Sequence, residues 1–236
     1  MKQDLTRIAV ILDRSGSMVS VVDATISGFN EFVHSQKLEP GQANLKLVQF
    51  DDQYEEVFDK PLSEVPLLDH ETFVPSGWTA LHDAIGRTIK VLDNELKRMP
   101  EAERSAKVLV LILTDGEENR STEFTREQIA DMVKEQQEKS GWNFVFLGAN
   151  QDAVLTASGF NIPHHSSLAY NSRMLQRCGI PWVPPVDTRV TIVRDAGSGL
   201  DRQRGNHQGC PIRPNKTSSF RSWILPKFTV RVSDSS

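Results

Sequence analysis

Val108-Leu109-Val110-Leu111-Ile112-Leu113 runs directly into Thr114-Asp115-Gly116. Six apolar residues without a break, ending in a polar turn, describe a strand buried on both faces, as at the centre of a parallel sheet. Working outward, Ile8 to Leu12 is a shorter run of the same kind and ends in Asp13-Arg14-Ser15-Gly16-Ser17. Val19, Val22, Ile26, Phe29 and Val33 recur at steps of three and four, which predicts one face of a helix. Pro40-Gly41 breaks the chain before a strand at Leu45 to Phe50, and Asp51-Asp52 turns into a second strand at Tyr54 to Phe58, an antiparallel edge hairpin. Leu81, Ile85, Ile89, Leu92 and Leu96 form a helical stripe after Thr79. Thr125 is placed to cap a helix reaching Lys139, and Trp142 to Leu147 reads as another strand. A short helix to about Ser158 and a weak last strand or loop between Gly159 and Tyr170 complete the pattern. Strands alternating with amphipathic helices give an α/β class. The expected architecture is doubly wound: a mostly parallel central sheet with one antiparallel edge strand and helices on both faces.

The composition has a break near residue 158. Residues 1–157 hold 16 basic and 27 acidic side chains, whereas residues 158–236 hold 11 and 4, with seven of the twelve prolines and both cysteines. Residues 1–170 are therefore expected to form one domain, and 171–236 an atypical basic, Pro- and Arg-rich tail that packs poorly. No apolar run approaches the roughly 18 residues of a membrane span. The apolar stretch from Ile8 is too short for a signal peptide, and two cysteines build no disulfide framework. The expectation is a cytoplasmic protein with no membrane partner.

Sheets of this kind collect ligands in loops beyond the carboxyl ends of their strands. Three polar segments fall there: Asp13 to Ser17, Ser76-Gly77-Trp78-Thr79, and Thr114 to Asn119. The side chains of Asp13, Ser15, Ser17, Thr79 and Asp115 all offer oxygen, and none offers nitrogen or sulfur. Hard oxygen donors with few charges suit Mg²⁺. Taken singly, Ser15, Ser17 and Thr79 are equally well read as helix caps. Glu117 and Glu118 read as a solvated first turn. Asp83, one turn beyond Thr79, fits either a supporting role or plain helix surface. Trp78 either offers an aromatic contact to a ligand or folds back onto the domain.

D-x-S-x-S after the first strand, a threonine before the second long helix and T-D-G after the strongest strand resemble the von Willebrand factor type A (vWA) domain. Thr79-Ala80-Leu81-His82-Asp83-Ala84 and Thr114-Asp115-Gly116 look like its compact bacterial and phage members. The resemblance covers roughly residues 5–160 and implies a Rossmann-like sheet with the first and fourth strands adjacent. It further implies a metal-ion-dependent adhesion site made by Asp13, Ser15, Ser17, Thr79 and Asp115. That site would hold Mg²⁺ or Mn²⁺ and leave one position to an Asp or Glu carboxylate of a partner protein. Such chemistry is binding without turnover, so the expectation is not an enzyme.

Other chemistries fit less well. There is no phosphate loop of the G-x-x-x-x-G-K-[ST] type and no G-x-S-x-G elbow. His164, His165, Cys178, His207 and Cys210 match no zinc spacing. The enzyme alternative is Mg²⁺- or Mn²⁺-dependent phosphoester hydrolysis with Asp13 and Asp115 on the metal. It lacks a nucleophile, because a D-x-D loop would need aspartate where Ser15 stands. Nucleic acid is not the expected partner, although the tail's nine arginines and two lysines, with Trp182 and Trp223, give that reading a basis. The reading of the tail with which that one competes is a shifted reading frame. Arg173 to Val183, re-read one base out with suitable codons, gives Asp-Ala-Ala-Ala-Val-Trp-Asp-Ser-Leu-Gly, which resembles the terminal helix the chain otherwise lacks.

Overall fold

The computed structural model describes residues 2–115, 118–148, 153–163 and 166–169. The tail beyond residue 170, the histidine and cysteine positions considered for zinc, and Gly116 and Glu117 lie outside them. Six strands form one sheet in the order β3-β2-β1-β4-β5-β6. They are β1 (Lys2–Asp13), β2 (Gln42–Phe50), β3 (Tyr54–Pro61), β4 (Ser105–Thr114), β5 (Asn143–Gly148) and β6 (Ser167–Ala169). All neighbours pair in parallel except β2 and β3, the antiparallel edge hairpin. Four helices connect them: α1 (Val22–Leu38), α2 (Leu81–Arg98), α3 (Arg126–Ser140) and α4 (Ala153–Gly159).

The two-sided burial that makes β1, β4 and β5 read as unbroken apolar runs is visible as two cores. Ile8, Val10 and Leu12 of β1, Leu109, Leu111 and Leu113 of β4, and Val145 and Leu147 of β5 share one core with Phe29, Phe32 and Val33 of α1. The alternate residues Ala9, Ile11, Val108, Val110, Ile112, Phe144 and Phe146 share the other with α2, α3 and α4. Helix α3 starts at a capping box, in which Thr125 Oγ1 accepts from Gln128 N and the Gln128 side chain accepts from Thr125 N. It stops at Gly141, whose φ of 65° is the left-handed conformation that glycine adopts without strain.

Three details differ from the sequence reading. β1 begins at Lys2 rather than Ile8, because backbone pairing to β2 and β4 continues through polar residues that hydropathy does not register. Val19 is not on the helical stripe. Residues Gly16–Val21 form a 3₁₀ turn, whose tighter period rotates Val19 outward to 64% exposure. Trp142 lies just before β5, donating its N–H to Gln136 O and stacking on Phe144.

Sequence reasoning also missed a cluster of charges between β1, the hairpin and α2. Lys46 is almost fully buried, with its ammonium 2.8 Å from both Glu56 and Glu95. Arg7 bridges Asp59 and Glu95. Burial alone would lower the Lys46 pKa, but the bonds to Glu56 and Glu95 raise it, so the charge is kept. Asp59 is a third partner at 3.4 Å, so loss of any one acid leaves the ammonium paired with the others.

Helix α2 approaches the segment after β4 closely. A Cβ on Gly86 would stand 2.7 Å from the buried Phe124 ring. Gly86→Ala is therefore expected to destabilise the domain by about 1–3 kcal/mol through overpacking, measured as a lower urea midpoint. Gly28→Ala, with nothing within 4 Å of the added methyl, is expected to hold or raise it.

Candidate metal centre

Asp13 ends β1 and Thr114 ends β4, and these strands pair in parallel, so their following loops emerge side by side. Thr114 Oγ1 donates to Asp13 Oδ2 at 2.5 Å, and Ser15 N donates to Asp13 Oδ1 at 2.7 Å. The Ser15 and Ser17 hydroxyls are 3.0 Å apart, and Ser17 Oγ donates to Asp115 Oδ1 at 2.7 Å. Residues 98 positions apart in the chain thus meet in one line of oxygens.

The second loop is tied to the first by its backbone. Gly16 N donates to Gly77 O at 3.2 Å, and Ser76 N donates to Arg14 O at 2.7 Å. Gly77 has φ 71°, and a Cβ there would stand 2.6 Å from Asp52 Oδ1, so both the turn and the close approach require glycine. Buried Asp51 organises this corner, accepting from Arg14 Nε at 3.1 Å, Gln53 N at 2.7 Å and Ser76 Oγ at 3.3 Å. Thr79 is buried just before α2, with its N–H on Asn119 Oδ1 and its carbonyl accepting from Asn119 N and Arg120 N.

The third loop is clamped onto the start of α2, which has no side-chain cap of its own. Glu118 accepts from His82 N at 2.9 Å, Arg120 N at 2.8 Å, Ser121 N at 2.6 Å and Ser121 Oγ at 2.7 Å. Asp83 accepts from the N–H groups of Thr122, Glu123 and Phe124, each at 2.9 Å. Glu118 is thus a loop anchor rather than a solvated first turn, and Asp83 is buried support rather than helix surface. A carboxylate near a helix N-terminus hints at this arrangement, but its partners lie nearly 40 residues away.

The carboxylates of the region divide electrostatically. Burial pushes Asp13 up to about 6 against the hydrogen bonds from Thr114 and Ser15, and the Asp115 charge adds to the rise. Burial also raises Asp115, with the Ser17 hydroxyl opposing it. Burial works the same way on Glu118, but there the donors from Ser121, His82 and Arg120 prevail and hold the carboxyl below its ordinary value. Asp13 and Asp115 therefore carry charge at a cost that a cation would remove, while Glu118 does not. Among the described residues no group of three or more His, Cys, Asp and Glu side chains forms a metal site, so a cation here would rest on hydroxyls as much as on carboxylates. That donor chemistry fits a hard dication.

The von Willebrand factor type A domain model matches residues 8–157. The chain belongs to that family. Among solved structures, this vWA domain is similar to the D319A mutant of the PilB minor pilin from Streptococcus sanguinis. The identity is 11% and the TM-score 0.52, over 75% of this chain and 60% of that one. It is also similar to proximal thread matrix protein 1 from the mussel byssus, solved with a zinc-occupied MIDAS motif. There the identity is 17% and the TM-score 0.50, over 74% and 44% of the two chains. A third is the von Willebrand factor type A protein from Catenulispora acidiphila, at 13% identity and a TM-score of 0.47 over 73% and 40%. The chain spans three-fifths or less of the length of each. No curated protein sequence matches it.

Of the residues singled out from sequence, Asp13, Ser15, Ser17 and Asp115 are joined directly by hydrogen bonds, and Thr79 is joined through its neighbours. Trp78 does not fold back: it is 62% exposed. Among the described residues no helix is long and apolar enough to cross a membrane.

Glu118→Gln should lower stability by about 1–3 kcal/mol at neutral pH. The folded-state pKa is depressed, so the ionised group's contribution is present above the ordinary value of 4.5 and is lost as pH falls through the folded value. Urea melts of the two proteins should accordingly converge below that pH.

Proposed function

We propose that this vWA domain is a protein-binding module dependent on Mg²⁺ or Mn²⁺. Asp13, Ser15, Ser17, Thr79 and Asp115 would hold the dication, and an Asp or Glu carboxylate of a partner protein would complete its coordination. The observation that carries this reading is the Ser17–Asp115 hydrogen bond, which joins the first and third loops beside the buried carboxylate of Asp13. Two carboxylates a few ångströms apart repel by several kcal/mol at an effective dielectric near 20. A bound dication would supply the positive charge that the loops lack. The zinc held in the MIDAS motif of the mussel protein supports a divalent metal in a fold of this kind. Trp78, exposed beside Thr79, would give the partner an aromatic surface to bury. Capture of a carboxylate needs no nucleophile or proton transfer, so the domain is read as non-enzymatic, with neither membrane nor nucleic acid as its partner.

Saturating Mg²⁺ should raise the melting temperature, since a 100-fold excess over Kd adds about 2.7 kcal/mol. Asp115→Ala should abolish the rise while leaving the metal-free protein folded. Asp13→Ala is the poorer test, because it removes the acceptor to which the Thr114 hydroxyl and the Ser15 N–H donate. A melting temperature unmoved by both Mg²⁺ and Mn²⁺ would remove the basis for the proposal. Phosphoester turnover that Asp115→Ala eliminates would replace it with the hydrolase reading.

A further inference from the structure

The rim around Thr79 bears on which carboxylate-bearing partner fits, provided the metal-binding reading above holds. Trp78 precedes Thr79 and stands 62% exposed. Arg120 N donates to Thr79 O at 3.1 Å, which fixes the Arg120 backbone beside Thr79. Arg120 is exposed, and among the described residues its guanidinium makes no hydrogen bond or ion pair. Arg14, by contrast, is held by Asp51 and Glu55, and Arg87 by Glu123. Glu118 makes no ion pair with the Arg120 guanidinium; its oxygens accept from His82 N, Ser121 and the Arg120 backbone N–H. Across Gly77 the charge reverses: exposed Asp52 reaches within 2.6 Å of where a Cβ on Gly77 would stand. Along the second loop the neighbouring charges thus differ in sign: Asp52 lies against Gly77, the Arg120 backbone against Thr79, and exposed Trp78 stands between those two residues in the chain.

We infer that the occupant is an acidic segment of a partner protein. It would carry a second carboxylate on one side of the metal-bound one, paired with Arg120, and an apolar side chain against Trp78. Asp52 disfavours the reversed segment, which would set like charges together. Val19, exposed on the turn that follows Ser17, extends the apolar surface on the first loop. A guanidinium already fixed at its backbone and, among the described residues, not engaged in an ion pair gives up none of those when a carboxylate arrives.

The test uses the full chain in saturating Mg²⁺ and capped, fluorescent synthetic peptides read by anisotropy. One peptide carries a single Asp beside a Leu, and a second adds another Asp on one side. A third places the added Asp on the other side, and a fourth replaces it with Lys. One of the two doubly acidic peptides should bind about fivefold tighter than the singly acidic one, the size of a rim-exposed ion pair. The mirrored peptide should show no such gain. Arg120→Glu should erase that gain and favour the Lys peptide, weakening the singly acidic peptide less than the doubly acidic one and leaving the Mg²⁺-induced melting rise in place. Trp78→Ala should weaken all the peptides alike. Peptides that bind equally, or not at all, while Mg²⁺ still raises the melting temperature overturn this inference alone. Loss of both peptide binding and the melting rise in the unaltered chain overturns the metal reading, and this inference with it.

Discussion

Asp13 is a carboxylate withdrawn from water at the end of the central strand, and the other polar features of this face are arranged around it. Hydrogen bonds from Thr114 and Ser15 only partly replace its hydration, and its pKa rises to about 6 as burial dictates. Nearby acids have been given enough donors. Asp83 accepts three backbone N–H bonds, Glu118 accepts four bonds and Asp51 is met by Arg14, Gln53 and Ser76. These acids fasten the loops, and the donors hold Glu118 below its ordinary value, whereas burial raises the pKa of both Asp13 and Asp115. On the proposed reading, this difference in how burial is offset, rather than acidity as such, would separate the metal-holding carboxylates from the loop anchors.

Much of this was legible in the chain because parallel strands buried on both faces leave a strong mark. Val108 to Leu113 is apolar throughout since its alternate residues fill two different cores. The oxygen-bearing loops were legible because each follows such a run or precedes a helical stripe. What escaped depends on partners distant in sequence. Asp83 and Glu118 look like any acids in a first helical turn, and only the crossing of the third loop over α2 makes them anchors. Lys46 sits in a strand where its neighbours are apolar, and nothing local tells that Glu56 and Glu95 converge on it. Val19 satisfied a helical spacing that the 3₁₀ turn then broke.

Helix α2 links these two groups of hidden contacts. Glu95 near its carboxyl end receives Arg7 and Lys46, and the N–H groups of its first turn meet Glu118 and Ser121. Its orientation is thus fixed at both ends by charge and along its length by packing. Thr79, immediately before it, inherits that fixed position. A site assembled from three separate loops gains most from such rigidity, because each ordered side chain would otherwise lose about 1 kcal/mol or more of conformational entropy on binding.

The charge balance of the loops bears on the partner as well. Two ionised carboxylates and one dication sum to zero, and the hydroxyls of Ser15, Ser17 and Thr79 add no charge. An incoming carboxylate would therefore bind at a formally neutral centre and leave it negative, with buried Asp13 beside it. A cation on the rim compensates for that excess without competing for the metal. Arg120, fixed by its backbone to Thr79, would supply such compensation, whereas Asp52, against Gly77, would oppose it. An acidic partner segment would then be drawn to one edge of the centre, and the direction of its chain would follow from charge before any close packing is made.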